Sequence, residues 1–279
     1  MFNFLFNRTR SDFVVRAEFV ADSVGAFLIN LDRATDRLAF VKPNIDRLGF
    51  PVERISGIDG KLLSKEELHK VCDYERFKSY FKMLPERGTI GCSLSHEKAL
   101  KKFLESEYEF ALIFEDDVVF NPQELRECID AAIEKKNLWD ILNFETFHDG
   151  LPVKIADLCS DKHLALYFSS ITHAGCYLIN RSTAKKLLEK FYPIVMPFDH
   201  YFVASWEFDI KFVGVEPRIV QQNFGNSQIK SETTQNFESF GIKLSNAVFN
   251  SRRAVTGFIY NSYLFLRNFA DRKQRFKIQ

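Results

Sequence analysis

Short, unbroken apolar runs alternate with helix-like stretches along most of this chain, and that alternation limits the fold more than any other feature. Val24–Asn30 carries no charge and reads as a strand buried on both faces. Behind it Leu38, Val41, Ile45 and Leu48 recur at helical spacing up to Gly49, with Pro43 implying a kink. Val52–Ser56 is a second strand, and Ser64 with Glu67 forms a capping box that opens a helix. Cys92–Glu107 reads as a helix and Phe110–Phe114 as a strand. Asn121, Pro122 and Glu124 then start a helix in the expected order of cap, proline and acid. Trp139–Phe144 and Tyr177–Asn180 are further strands, Ser182 opens a helix, and Asp209–Val215 is the last strand of the globular part. Strand and helix in alternation predict an α/β fold with a mostly parallel sheet, whose ligands bind at the carboxyl ends of the strands.

Composition excludes several classes. With 279 residues, 46% of them hydrophobic, the chain has ample material for a real core. Twelve Gly and eight Pro are too few for a disordered or fibrous protein, and a net charge of +1 offers no general affinity for nucleic acid. Phe supplies 30 residues and reads first as core filling. The five cysteines are odd in number, far apart in sequence and lack any C-x-x-C, which argues against a disulfide framework or a zinc site and for reduced thiols in the cytoplasm. The apolar start of the chain is broken at Asn3 and ends before Arg8, too short for a signal peptide. The uncharged run Ala254–Leu266 is shorter than the about 20 residues a membrane helix needs. Three segments are expected: an extension over 1–23, a domain over 24–243, and a basic tail over 244–279.

Chemistry concentrates in Ala111–Phe120, where Glu115, Asp116 and Asp117 stand between two apolar runs. Adjacent carboxylates at the end of a buried strand repel one another, and burial strengthens the repulsion. A divalent cation relieves it, and hard oxygen donors of this kind suit Mg²⁺ or Mn²⁺ bridging to a diphosphate. The alternative is a solvated acidic turn. P-loop and dinucleotide-binding glycine signatures are absent. A metal-dependent phosphohydrolase would place Asp where Glu115 stands. Sugar transfer from a nucleotide diphosphate fits better, because the metal offsets the charge of the leaving group.

Four segments resemble glycosyltransferase family 25, the lipopolysaccharide-type transferases that include collagen galactosyltransferases. They are Phe27–Arg37, Gly88–His96, Leu112–Val118, and Gly175–Arg181 with Pro197–His200. The resemblance spans about residues 24–229. It implies a GT-A type nucleotide-sugar-binding fold and an inverting, metal-dependent hexosyltransferase. The donor would be a UDP-sugar, galactose or glucose favoured, and the acceptor a lipopolysaccharide or lipooligosaccharide glycan. By position, Asn30, Asp32, Arg33 and Arg37 would hold the nucleotide. Ser95 and His96 would line an anion cradle formed by a Gly-rich turn and the helix after it. Glu115 and Asp117 would face the metal, Mn²⁺ or Mg²⁺, with Asp116 toward the ribose. Asp199 would be the base that deprotonates the acceptor, with Glu145 and Glu207 as rivals. The segment His173–Tyr177 departs from the small-residue strand the resemblance leads one to expect.

Residues 244–279 carry seven Arg and Lys against the single acid Asp271, a charge of +6 that leaves −5 on the remainder. Val248, Val255, Phe258, Ile259, Phe265, Leu266 and Phe269 lie near one face of a helix. Such a tail either rests on an anionic membrane surface, at the inner face of the cytoplasmic membrane, or packs on the domain. A non-catalytic nucleotide- or glycan-binding protein of the same fold is the alternative to an active transferase.

Overall fold

The computed structural model describes residues 23–148, 150–223 and 237–276, with side chains in the last segment described to residue 268. The expectations for residues 1–22 lie outside the described residues. The strands are β1 (Val24–Asn30), β2 (Val52–Ser56), β3 (Phe110–Glu115), β4 (Val118–Phe120), β5 (Ile141–Asn143), β6 (Phe147–His148), β7 (Pro152–Asp157), β8 (His163–Tyr167), β9 (Ile171–Thr172), β10 (Cys176–Asn180), β11 (Phe212–Glu216) and β12 (Val220–Gln222). Eight of them form one sheet in the order β2-β1-β3-β10-β5-β11-β8-β7. Six of the eight point one way, and β8 and β10 run against them, so the sheet is mostly parallel in direction.

The central strands are apolar throughout because both faces are covered. Val24, Ala26 and Leu28 of β1 and Phe110, Leu112 and Phe114 of β3 pack on one side, against α1 (Thr35–Asp46) and α5 (Pro122–Glu134). Phe27 and Ile29 of β1 and Ala111 and Ile113 of β3 pack on the other, against α4 (Arg87–Glu105), α6 (Arg181–Glu189) and α7 (Phe198–Phe202). Period-two side-chain alternation thus sends each half of an apolar run into a separate core.

Local signals hold where they were strongest. Ser64 and Glu67 make both bonds of the capping box at the start of α2 (Lys65–Val71). Asn121 accepts from the backbone of Gln123 and Glu124 ahead of α5. Gly49 takes φ +73° just past α1, a conformation that favours glycine.

Expectations change at a few elements. The last strand of the globular part is β12, which follows β11 and pairs with β4, not Asp209–Val215. Helix α4 begins at Arg87, not Cys92, so Gly88 and Gly91 lie within its first turns and form no Gly-rich turn. Close packing explains Gly91: a Cβ there would stand 2.5 Å from the Ile58 carbonyl oxygen and 2.6 Å from the Gly60 nitrogen. Gly91 and Gly60 let the helix lie directly on the 58–60 backbone.

The tail is a single helix, α9 (Phe240–Phe276), and the expected boundary at 243/244 falls within its first turns. It lies along the domain. Phe249 stacks on Tyr80 of α3 (Tyr74–Phe81) at 4.1 Å, Gly257 sits beneath Trp206 of α8 (Ser205–Phe208), Tyr260 donates to Asp209, and Leu264 is buried. Among the described residues, no helix is long and apolar enough to cross a membrane.

Candidate active site

Strand direction brings the acids to one edge. Ile29 pairs in register with Glu115, so Asn30 at the end of β1 stands beside the turn Asp116–Asp117 at the end of β3. Strand β5 ends at Asn143 on the same edge, two residues before Glu145, and the antiparallel β10 begins there just after His173. Asn30, Arg33, Arg37, Ser95, His96, Glu115, Asp116 and Asp117 all line a single cleft at this edge, and Asp32 and Asp199 do not line it. Lys61, Cys92, Gln222 and Asn223 also line it; Cys92 falls within the Gly88–His96 segment, which assigned it no role, and no motif in the sequence pointed to the other three.

Arg37 is the central cation. Its guanidinium lies 2.7 Å from Asp116 Oδ1 and 2.5 Å from Asp117 Oδ2. One guanidinium does not neutralise three carboxylates. Asp117 Oδ1 is buried and has no hydrogen-bond partner among the described residues. Burial first, and then the charge of Glu115, push the Asp117 carboxyl up to about 7. Burial also raises Asp116, against the pull of Arg37 and Asn30. Burial works to raise Glu115 as well, but its hydrogen bond from His96 and the charges of His96 and Arg37 outweigh burial and hold it below the ordinary value.

The buried histidine is held from three sides. His96 Nε2 lies 3.1 Å from Glu115 Oε1, Nδ1 lies 3.1 Å from the Tyr177 hydroxyl, and the ring stacks on Phe198 at 4.1 Å. Cys92, one turn earlier on α4, joins His96 and Glu115 in a cluster whose ligand atoms lie within 4.8 Å of one another. The lack of a C-x-x-C spacing gave no hint of this cluster, because its third member comes from β3. The orphaned Asp117 oxygen and this cluster both fit a bound cation at the acid edge, with Glu115 between them.

Several residues expected to bind ligand also hold their neighbours in place. Asn30 is buried; it donates to Asp116 Oδ2 at 2.7 Å and to the Ala34 carbonyl, and accepts from Arg54. Ser95 donates to the Gly91 carbonyl and accepts from the Ile58 amide, both at 2.7 Å, which ties α4 to the cleft wall. Asp32 is exposed and bound by Arg54 and Ser56, which hold its carboxyl below the ordinary value. Arg33 pairs with Asp59 across the mouth of the cleft.

Beside the acids lies a second group. Glu145 is buried; it accepts from the Gly175 amide at 2.7 Å and meets His173 Nδ1 at 3.1 Å. Burial raises its carboxyl despite both contacts. His173 has φ +76°, a strained value for a residue other than glycine, and its ring stacks on Phe147. Asp199, at the start of α7, accepts from the backbone amides of His173 at 3.4 Å and His200 at 2.9 Å. Of its rivals, Glu145 belongs to this group, whereas Glu207 lies by Trp206 and Arg252 in a separate cavity.

The sheet and its acidic carboxyl edge define the class, an α/β domain with its cleft at the ends of the strands. The chain belongs to glycosyltransferase family 25, described as an LPS biosynthesis protein family, which it matches over residues 24–202. A glycosyltransferase 25 family member of Aedes aegypti is 30% identical over 190 residues, 63% of this chain and 30% of that protein. Human procollagen galactosyltransferase 2 is 31% identical over 123 residues, 42% of this chain and 20% of that protein. The chain therefore spans less than a third of the length of these relatives. Among solved structures, Staphylococcus aureus TarS 1-349 aligns with a TM-score of 0.43 and 13% identity over 72% of this chain and 60% of that one. A glycosyltransferase involved in glycosylation of the PBCV-1 major capsid aligns with a TM-score of 0.39 and 11% identity over 82% of this chain and 98% of that one.

Proposed function

We propose that this chain is a metal-dependent, inverting hexosyltransferase that moves galactose or glucose from a UDP-sugar to a lipopolysaccharide or lipooligosaccharide glycan. The observation that carries this reading is the acid cluster at the carboxyl end of β3, where three carboxylates share Arg37 and a buried Asp117 oxygen has no hydrogen-bond partner among the described residues. Glu115 and Asp117 would hold Mn²⁺ or Mg²⁺, and the ion would offset the charge of the departing diphosphate. Asp116, fixed by Asn30, would accept from the ribose. Arg33 and Arg37, on the same wall, have the forked geometry that suits diphosphate oxygens. Asp199 would take the proton of the acceptor hydroxyl, on the flank of the acids marked by His173 and Glu145.

The test is a screen of UDP-galactose, UDP-glucose and other UDP-sugars for protection against thermal unfolding and for metal-dependent hydrolysis. Protection and hydrolysis that both need Mn²⁺ or Mg²⁺ are expected. Protection without hydrolysis or transfer would point to the non-catalytic binding protein. Release of phosphate from simple phosphomonoesters would point to the phosphohydrolase.

A further inference from the structure

We propose that the outward face of α9 is a docking surface for an anionic lipid bilayer. The helix has two unlike faces. The inner one is committed to the domain through Phe249, Gly257, Tyr260 and Leu264, and a Cβ on Gly257 would stand 2.8 Å from the Trp206 ring. The rotation of the helix is therefore set, and it turns an apolar stripe to the outside. Leu244, Val248, Val255, Ile259 and Leu266 recur at steps of four and seven, and each is more than half exposed. At 1.5 Å per residue the stripe runs about 33 Å, too long and continuous for a scatter of surface apolar residues.

Charge selects the occupant. Residues 239–270 contain no Asp or Glu, while Lys243, Arg252, Arg253 and Arg267 fall within that span; of these, Arg253 turns inward to the His200 carbonyl and Lys243 pairs with Glu238, which leaves Arg252 and Arg267 on the outside. Four more cations, Arg272, Lys273, Arg275 and Lys277, follow in the sequence after Asp271. A second copy of the chain paired through this stripe would set two cationic strips against each other. An anionic bilayer supplies both an apolar layer for the stripe and negative headgroups for the flanking Arg and Lys. Arg252 lies beside the stripe and is exposed, placed to meet a headgroup while Val255 and Ile259 enter the acyl boundary.

Vesicle co-sedimentation with the full chain tests this, using phosphatidylcholine vesicles with and without phosphatidylglycerol. Binding is expected to the anionic vesicles alone and to weaken as salt rises. The double variant Val255→Glu, Ile259→Glu changes two side chains that the domain does not bury. It should keep the wild-type melting temperature and weaken vesicle binding on the order of a hundredfold, from two lost apolar insertions and two added charges. Equal binding by variant and wild type, or no binding of the wild type to anionic vesicles at low salt, overturns the proposal. So does a stable dimer of the full chain in solution that the double variant converts to monomer. The outcome is independent of sugar transfer, because donor hydrolysis in solution should be the same for both proteins.

Discussion

Replacing Asp117 with Asn should make the metal-free protein more stable and, at the same time, unresponsive to metal. The folded environment raises the Asp117 carboxyl from 3.8 to about 7, chiefly by burial and next by Glu115. A folded-state value above the unfolded one means that ionisation is costlier in the folded chain. Stability at this site is then complete below about pH 4 and falls as pH rises toward 7. A shift of about three units corresponds to a ceiling of about 4 kcal/mol at neutral pH. Repulsion shared with Glu115 and the loss of one contact to Arg37 lower the expected net gain for the Asn variant to about 2 kcal/mol. In a chain of this size that is a rise of about 4–8 °C in melting temperature. Scanning calorimetry at pH 7.5 in EDTA measures it, and a repeat near pH 4 should show the gap closing. Saturating Mn²⁺ or Mg²⁺ should reverse the order by stabilising the wild type and leaving the variant unchanged. A variant less stable than wild type in EDTA at pH 7.5, or one that keeps the full metal-induced shift, would refute the reasoning.

Other expectations follow from neighbouring contacts. Arg37→Met removes the cation between Asp116 and Asp117, and should cost about 3–5 kcal/mol at neutral pH; chemical denaturation should show part of that loss recovered as pH falls toward 5, where these raised carboxyls take up protons. Asp199→Asn should abolish transfer to the acceptor while UDP-sugar affinity by calorimetry stays within about threefold of wild type. A collapse of donor affinity would make Asp199 a donor or metal ligand and leave Glu145 as the better base. Gly91→Ala drives a methyl into the 58–60 backbone, and should lower stability by about 1–3 kcal/mol and weaken donor binding, because that backbone forms one wall of the cleft.

Much of the fold was legible because the central strands are buried on both faces, which leaves unbroken apolar runs such as Val24–Asn30 and Phe110–Phe114. Caps were legible for a similar reason, since Ser64 and Asn121 bond to backbone two or three residues away. The hairpin of β7 and β8 was missed: β7 is the sheet edge, half exposed, and its Lys154 and Asp157 interrupt the pattern. The true start of α4 was missed because Gly88 and Gly91 read locally as a turn. Only the contact of Gly91 with the 58–60 backbone shows why a helix keeps it. The tail packs on the domain along one face and leaves the other outside. Sequence periodicity marks which residues share a face, but only packing against Tyr80 and Trp206 decides which face is left outside.

The sequence by itself determined the α/β alternation, the acid cluster at a strand end and the family to which the segments belong. Each depends on residues close together in the chain, where period, spacing and short-range hydrogen bonds act. Tertiary structure alone decided the roles within the cleft. Asn30 and Ser95 became supports, Asp32 fell outside, and Arg37 became the counterion of Asp116 and Asp117. Cys92, His96 and Glu115 met because β3 ends beside α4, and Glu145, His173 and Asp199 met because β10 enters the sheet antiparallel. Charge repulsion and desolvation depend on distance and burial in space, and those quantities exist only once the sheet has brought distant segments to one edge.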